Sequence, residues 1–400
     1  MNVLMLSWEY PPRIIGGLSR HVADLSQALA EKGVNVIVIT CCVEGAIEKE
    51  EKGNLSIYRV PSQIISTPDF ISWIYFLNLS MISKALQIQK EKTFDIIHVH
   101  DWLSAFAGYT LKHGLKKPLI ATIHATEYGR NQGIYTREQK FIHDIEWWLT
   151  YEAWRVIVCS NFMREEVRNI FNLPEDKIDV ILNGVNIENL KTNLDLKEIR
   201  DKFALPHEKI ILFIGRMFYQ KGPEYLLRSA PLILSQYPNA KFIFVGTGDL
   251  LNSLKEEANN LGLQNKALFT GFVDDSLRNA LLNIADICVF PSIYEPFGIV
   301  ALEAMALSKP VVASNLGGFR EIIDSEKDGL LFNPKDIYDL SQKVLSLLKD
   351  EHFAKKIGEN AKEKVEKNYT WGKIAEKALK VYERVYQEYL LSNWRWGENL

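Results

Sequence analysis

Short apolar runs alternate along this chain with longer stretches whose apolar residues recur every three or four positions. Asn2–Ser7, Val34–Thr40, Leu55–Pro61, Asp95–His100, Leu119–His124 and Arg155–Cys159 read as buried strands. Between them the spacing predicts helices over Leu18–Lys32 (Val22, Leu25, Leu29), Phe70–Lys90, Leu103–His113, Gln139–Glu152 and Asn161–Phe171, with a charged loop after Thr40. Glu188–His207 is polar and reads as the passage between domains. A second alternation follows, with strands at Lys209–Gly215, Lys241–Gly246, Ala267–Thr270, Asp286–Phe290 and Pro310–Ser314. Its helices fall at Tyr225–Tyr237, Leu250–Leu261, Ser276–Ile284 and Asp336–Lys349. Trp371–Leu391 is one amphipathic helix, apolar at Ile374, Ala378, Val381, Val385 and Tyr389. Strands alternating with helices predict an α/β protein of two doubly wound parallel sheets, with ligands in a cleft at the strand C-termini.

The length of 400 residues supports two domains rather than one core. A net charge of −3 leaves no electrostatic footprint for nucleic acid. Cys41, Cys42, Cys159 and Cys288 contain no CxxC pair and fit reduced, packed thiols. The chain opens on a strand and Trp8-Glu9-Tyr10-Pro11 rather than a signal peptide, and its most apolar run, Phe70–Ile82, is too short to span a bilayer. These features predict a cytoplasmic protein without an integral membrane span. The tail Asn393-Trp394-Arg395-Trp396 looks membrane-seeking, yet lacks the basic cluster of a peripheral anchor.

Chemistry concentrates in ICVFPSIYEPFGIVALE, Ile287–Glu303. A strand is broken by Pro291, Ser292 and Pro296, and helical spacing resumes from Phe297, with Pro296 near the first helical position. Glu295 then precedes a helix N-terminus and Glu303 lies two turns along, so the pair reaches opposite ends of one ligand while the amides of Phe297–Ile299 face it. The same pattern also suits an acid placed for the helix dipole and a solvated Glu on the outer face. Gly215-Arg216-x4-Lys221-Gly222 leaves the next predicted strand end. It reads either as an ordinary surface loop or as a phosphate site, Arg supplying a fork and Lys a point charge. Gly16-Gly17 is a turn, or a close approach for a phosphate at a helix start. His98-x-His100 continues a strand, and no further ligand follows at metal-site spacing. Asp274-Asp275 reads as a helix cap rather than a metal-binding Asp-x-Asp. Gly246-Thr247-Gly248 lacks the third glycine of a dinucleotide fingerprint, Leu251 holding its place, which argues against a dehydrogenase. Aromatic residues cluster in the first half, and a few, Tyr128 and Tyr135 among them, suit stacking on a sugar.

The Glu-x7-Glu pattern, with GRMFYQKG, HDWLSAFAG and TIHATEYGR, resembles retaining glycosyltransferases of family 4, of the glycogen- and starch-synthase type, over nearly the whole chain. The resemblance implies the GT-B fold: two Rossmann-like domains facing across a deep cleft. It divides the chain into an acceptor domain (1–190), a nucleotide-sugar donor domain (191–370) and a C-terminal helix (371–400) returning to the first. It also implies residue roles. Arg216 and Lys221 hold the donor diphosphate with Gly16 and Gly17, and Glu303 binds the ribose. Glu295 with Phe297 and Gly298 holds the donor sugar, His124 faces that sugar, and Asp101 and Trp102 lie on the acceptor side. The expected reaction moves a sugar, glucose first, from ADP- or UDP-glucose to a carbohydrate hydroxyl with retention, needing neither metal nor cofactor. Ile14 and Ile15 stand before the glycines where glucan synthases carry Lys-x-Gly-Gly, and Arg13 is the nearest cation. A lipid-directed glycosyltransferase, a sugar-nucleotide 2-epimerase and a non-catalytic sugar-nucleotide binder are the alternatives. Oligomeric state is left open.

Overall fold

The computed structural model describes residues 1–61 and 66–394; Arg395 and Trp396 of the aromatic tail lie outside them. The chain forms two compact units. Met1–Asn183 and the stretch from Trp371 make the first, and Gly184–Thr370 the second.

The first unit is built on β1 (Asn2–Leu6), α1 (Gly17–Glu31), β2 (Asn35–Cys41), β3 (Lys49–Lys52), β4 (Leu55–Val60), α2 (Phe70–Gln89) and β5 (Ile96–His100). There follow α3 (Ala105–Leu115), β6 (Leu119–Ile123), α4 (Glu127–Asn131), α5 (Arg137–Glu152), β7 (Arg155–Val158), α6 (Asn161–Phe171) and β8 (Ile178–Val180). The sheet order is β3-β4-β2-β1-β5-β6-β7-β8, parallel except for the β3–β4 pair. The charged loop expected after Thr40 therefore contains an edge strand. Its sequence KEEK shows no apolar alternation, because an edge strand exposed to water needs none. Because β1 lies between β2 and β5, the chain changes direction there, and the loops after β1 and β5 flank a topological switch point.

The second unit contains α7 (Leu196–Phe203), β9 (Lys209–Ile214), α8 (Pro223–Gln236), β10 (Ala240–Val245), α9 (Leu251–Asn260), β11 (Ala267–Gly271), α10 (Asp275–Ile284) and β12 (Ile287–Phe290). It continues with α11 (Ile299–Ala306), β13 (Val311–Ser314), α12 (Phe319–Ile322), β14 (Leu330–Phe332), α13 (Ile337–Lys349) and α14 (Glu351–Asn368). All six strands run parallel in the order β11-β10-β9-β12-β13-β14, so its switch point falls between β9 and β12.

The segment read as an interdomain passage belongs to this unit and holds α7. Asp195 caps that helix by accepting from the amides of Lys197 and Glu198, and of its eight residues only Ile199 is buried, too weak a stripe to register as a helix. The division falls at Asn183 and Gly184 rather than after residue 190. On one side His21 Nδ1 pairs with Asn183 Oδ1; on the other, Val185 donates its amide to Tyr369 O.

The last helix, α15 (Trp371–Leu391), packs in the core of the first unit. Its buried stripe of Ile374, Ala378, Val381 and Val385 lies with Val22, Leu25 and Leu29 of α1. Tyr382, fully buried, pairs its hydroxyl with His98 Nδ1 at 2.8 Å. Burying each such aliphatic side chain contributes about 1.5–3 kcal/mol, so this helix is integral to the unit it joins.

Candidate active site

In the second unit two loops meet at the switch point. The chain leaving β9 carries Arg216, exposed, with its guanidinium 5.2 Å from the Phe218 ring centroid. It then turns through Lys221 and Gly222 into α8, with Pro223 in the first helical turn. Gly222 has φ +61, and a Cβ there would lie 2.1 Å from Pro291 O, so only glycine lets this loop meet the one leaving β12. Ile293 donates to Gln220 O at 2.9 Å across the same junction. The contact brings Lys221 Nζ to 2.7 Å from Glu295 Oε2, and Ser292 Oγ donates to the same oxygen at 3.1 Å. Glu295 is 6 % exposed. Its backbone is clamped from the far side: Gly318 donates to Glu295 O at 2.9 Å, and a Cβ on Gly317 (φ +51) would sit 2.2 Å from that oxygen.

Gly298, at φ +102, turns the chain into α11. The helix therefore begins at Ile299, later than expected, and Pro296 stays in the preceding loop. The amides at the start of α11 still give that end of the loop positive partial charge. Glu303 is 4 % exposed and paired with Arg278 of α10. Neither glutamate is a solvated surface acid, which removes the simpler reading of the Glu-x7-Glu pattern. Phe297 is also buried, so its side chain is packing and its backbone is what the loop offers. The loop's glycines, Ser292 and Arg278 carried no signal of their own in the sequence.

In the first unit the loops after β1, β5 and β6 gather at the other switch point. Glu9, buried, accepts from the amides of Ile15 at 2.7 Å and Gly16 at 3.1 Å. The Gly16 amide expected to face a phosphate is thus already held by a carboxylate the sequence reading passed over. Gly16 is extended (φ −154) with open space where a Cβ would stand, and Gly17 begins α1. Arg13 lies over Trp8 and Trp73, 5.2 Å from each ring centroid.

Asp101 and Trp102 are each 3 % exposed, which corrects the expectation that they meet an acceptor directly. Asp101 adopts φ 57, a sparsely populated conformation for a non-glycine residue. Its Oδ1 accepts from the His124 amide at 2.7 Å, and Arg130 stands 3.7 Å from Oδ2. Burial pushes this carboxyl up to about 6, against the opposing pull of Arg130 and the amides of His124 and Ala125. Asp101 therefore fixes the loop that presents His124. Glu146 of α5 grips the same loop, accepting from the Glu127 amide at 2.9 and 3.0 Å, and burial pushes its carboxyl up to about 8.

Four histidines stack beside this loop. His98 is satisfied by Tyr382 and by Thr122 Oγ1 at 2.7 Å. His100 Nδ1 lies 3.2 Å from His124 Nε2, and the His21 ring packs 4.5 Å from that of His124. His21, His100 and His124 bring nitrogens within 4.8 Å of one another, a set able to hold a metal ion. That grouping corrects the expectation that His100 has no companions. His21 lies on α1, and its distance along the chain hid it from any spacing rule. Burial holds His124 down to about 3 and keeps His21, His98 and His100 well below the usual range. All four are neutral at pH 7, so none supplies a cation for a phosphate.

Beyond this loop an open hollow of about 890 Å³ is lined by Tyr128, Lys140, His143, Phe162, Glu165 and Asn169, among others. Tyr128 exposes 44 % of its surface there. An aromatic face with flanking carboxylate and amide groups suits a polyhydroxylated ligand.

Two Rossmann-like parallel-sheet units with this donor-side loop define a glycosyltransferase of the GT-B type. In fold, the chain superposes with a TM-score of 0.79 at 17 % identity on the catalytic domain of starch synthase IV from Arabidopsis thaliana, bound to ADP and acarbose, covering 97 % of this chain and 99 % of that one. The family model described as Glycosyltransferase Family 4 matches residues 15–189, and that of Glycosyl transferases group 1 matches residues 195–364. An uncharacterized glycosyltransferase of Methanocaldococcus jannaschii is 42 % identical over 96 % of this chain and 98 % of its own length. A glycogen synthase of Mycobacterium tuberculosis is 31 % identical over 96 % and 94 %. The chain belongs to glycosyltransferase family 4, and its relatives include glycogen synthases.

Proposed function

We propose that this enzyme transfers glucose from ADP- or UDP-glucose to the non-reducing end of an α-glucan, with retention of anomeric configuration. The observation that carries the reading is the Lys221–Glu295 pair, beside Arg216, at the switch point of the second unit. In this reading Arg216 and Lys221 take the donor diphosphate, and the Gly298 turn adds the α11 amides. Glu295 with the Phe297–Gly298 backbone holds the sugar, and Glu303 accepts from the ribose hydroxyls. The diphosphate charge is met by protein cations, so no metal is required. From the first unit, neutral His124 borders the sugar, Gly16 and Gly17 leave room for the phosphates, and Asp101 and Trp102 act as positioning residues. The hollow beside Tyr128 is the carbohydrate-acceptor side.

Glu295 and Glu303 already have ion-pair partners, and no second carboxylate stands ready to form a covalent glycosyl-enzyme in the described donor loop. The acceptor hydroxyl therefore attacks on the face the diphosphate leaves. Its oxygen forms the new bond to the anomeric carbon, the bond from that carbon to phosphate oxygen breaks, and the departing oxygen takes the hydroxyl proton. The relationship to glycogen synthase supports the glucan acceptor. Incubation with a panel of labelled nucleotide sugars and maltooligosaccharide tests the reading, because elongated product from one donor supports it. Release of an isomerised sugar from donor alone would instead indicate the epimerase.

A further inference from the structure

Helix α2 carries an outer face that its own unit leaves uncovered. Its inner side is tied to α3 by Asn78, which donates to Ile74 O and Leu103 O and accepts from the Ala107 amide, each at 2.8 Å. Ile74, Leu77, Met81 and Ala85 are buried on that side. A surface helix normally turns polar residues outward. Here the outward side is apolar too: Tyr75, Leu79 and Leu86 are 40, 53 and 44 % exposed, and half-buried Ile82 completes an i, i+4, i+7, i+11 stripe. No residue from Phe70 to Ser83 is charged.

The apolar surface continues across two more helices as a ladder of rings. Tyr75 meets Phe106 of α3 at 4.5 Å, Phe106 meets Trp148 of α5 at 5.7 Å, and Trp148 meets Tyr109 at 4.5 Å. On α5, Trp147 and Tyr151 stack at 5.8 Å and expose 48 and 65 % of their surfaces. Neither α2 nor α3 contains an acidic residue; their charged positions are Lys84, Lys112 and His113. At the end of the ladder Lys112 and Lys116 stand 5.2 and 4.2 Å from the Trp394 ring centroid, and Lys117 stands 5.5 Å from that of Tyr389. Exposed aliphatic residues bordered by Trp, Tyr and Lys match the boundary between lipid headgroups and acyl chains.

We propose that the α2–α3–α5 face seats the protein on an anionic lipid surface, with Tyr75, Leu79 and Leu86 entering the headgroup boundary and the lysines facing lipid phosphates. The charge pattern selects a lipid over a second copy of this chain, since a two-fold pair would set the same acid-free helices against each other. Among the described residues no helix is long and apolar enough to cross a membrane, so the contact is peripheral. The surface stands whichever hydroxyl acceptor the enzyme uses.

Co-sedimentation of the full chain with vesicles tests this, using equimolar phosphatidylglycerol and phosphatidylcholine against phosphatidylcholine alone. The wild type is expected to pellet with the anionic vesicles and to be released as salt rises. The Leu79→Glu/Leu86→Glu variant alters only exposed positions, so it should keep its melting temperature and donor turnover. Its partition coefficient should fall by about 100-fold, roughly tenfold per leucine withdrawn from the boundary. A Leu79→Ser/Leu86→Ser variant should show an intermediate loss without added charge. Wild-type protein left in the supernatant, or pelleting unchanged in both variants, overturns the proposal. So does a dimer in solution that the same variants dissociate while no vesicle binding is seen.

Discussion

Replacing Lys221 with alanine removes the cation 2.7 Å from a carboxylate that is only 6 % exposed. At that separation the attraction amounts to about 6 kcal/mol at an effective dielectric near 20, most of it spent offsetting the desolvation of the two charges. Breaking a fully buried pair costs about 3–5 kcal/mol. Lys221 keeps 26 % side-chain exposure, and Ser292 still donates to Glu295. We therefore expect a loss of about 2 kcal/mol, or roughly 4–8 °C in the melting temperature of this unit. Adding Glu295→Gln to Lys221→Ala removes the stranded charge, so the double variant should regain most of that stability. Turnover should not follow. Each single variant and the double variant should lose about 10²–10³ in transfer rate if these groups meet the donor. Nucleotide binding should remain detectable in Glu295→Gln. The assay is a melting curve with a parallel rate measurement on the wild type and the three variants. A stability loss that persists in the double variant would show that Glu295 is not the uncompensated charge, and unchanged turnover in Lys221→Ala would remove Lys221 from the donor site.

Three further outcomes follow from the geometry. Gly317→Ala places a methyl carbon 2.2 Å from Glu295 O at φ +51, so it should lower stability by several kcal/mol and abolish transfer, whereas Gly16→Ala meets nothing within 4 Å and should melt like wild type while raising the KM for donor. Glu146 is raised by burial from 4.5 to about 8, so the native state retains a proton the unfolded chain has lost. Stability from this group is then present below pH 4.5 and lost as pH rises to about 8. Glu146→Gln should flatten that decline in melting temperature between pH 6 and 9. Gly108→Val should destabilise the first unit, because even a Cβ at residue 108 would lie 2.4 Å from Val99 Cγ1 where α3 packs on β5.

The two doubly wound sheets were legible because parallel strands buried on both faces write themselves as apolar runs, as in Val3–Leu6 and Ile210–Ile214. Elements whose residues mostly face water were not, and KEEK in β3 and the eight residues of α7 show why: neither buries enough to leave a period. The donor loop was readable because one continuous segment holds Glu295, Gly298 and Glu303, and its neighbour holds Arg216 and Lys221. What packs against it was not. Gly317 reaches the Glu295 carbonyl, and Arg278 reaches Glu303, only through the fold. On the first unit, Glu9, His21 and Glu146 carry no motif, and their roles come from burial and from partners far along the chain. Burial also explains why Asp101 and Trp102 act as positioning residues, which their place in a short motif does not reveal.

The most direct test of the account is proton NMR of the product formed from ADP- or UDP-glucose and maltooligosaccharide in the presence of EDTA. The account predicts a new α-linked glucose at undiminished rate. A β-linked product, or transfer that returns only when a divalent cation is added, would contradict it.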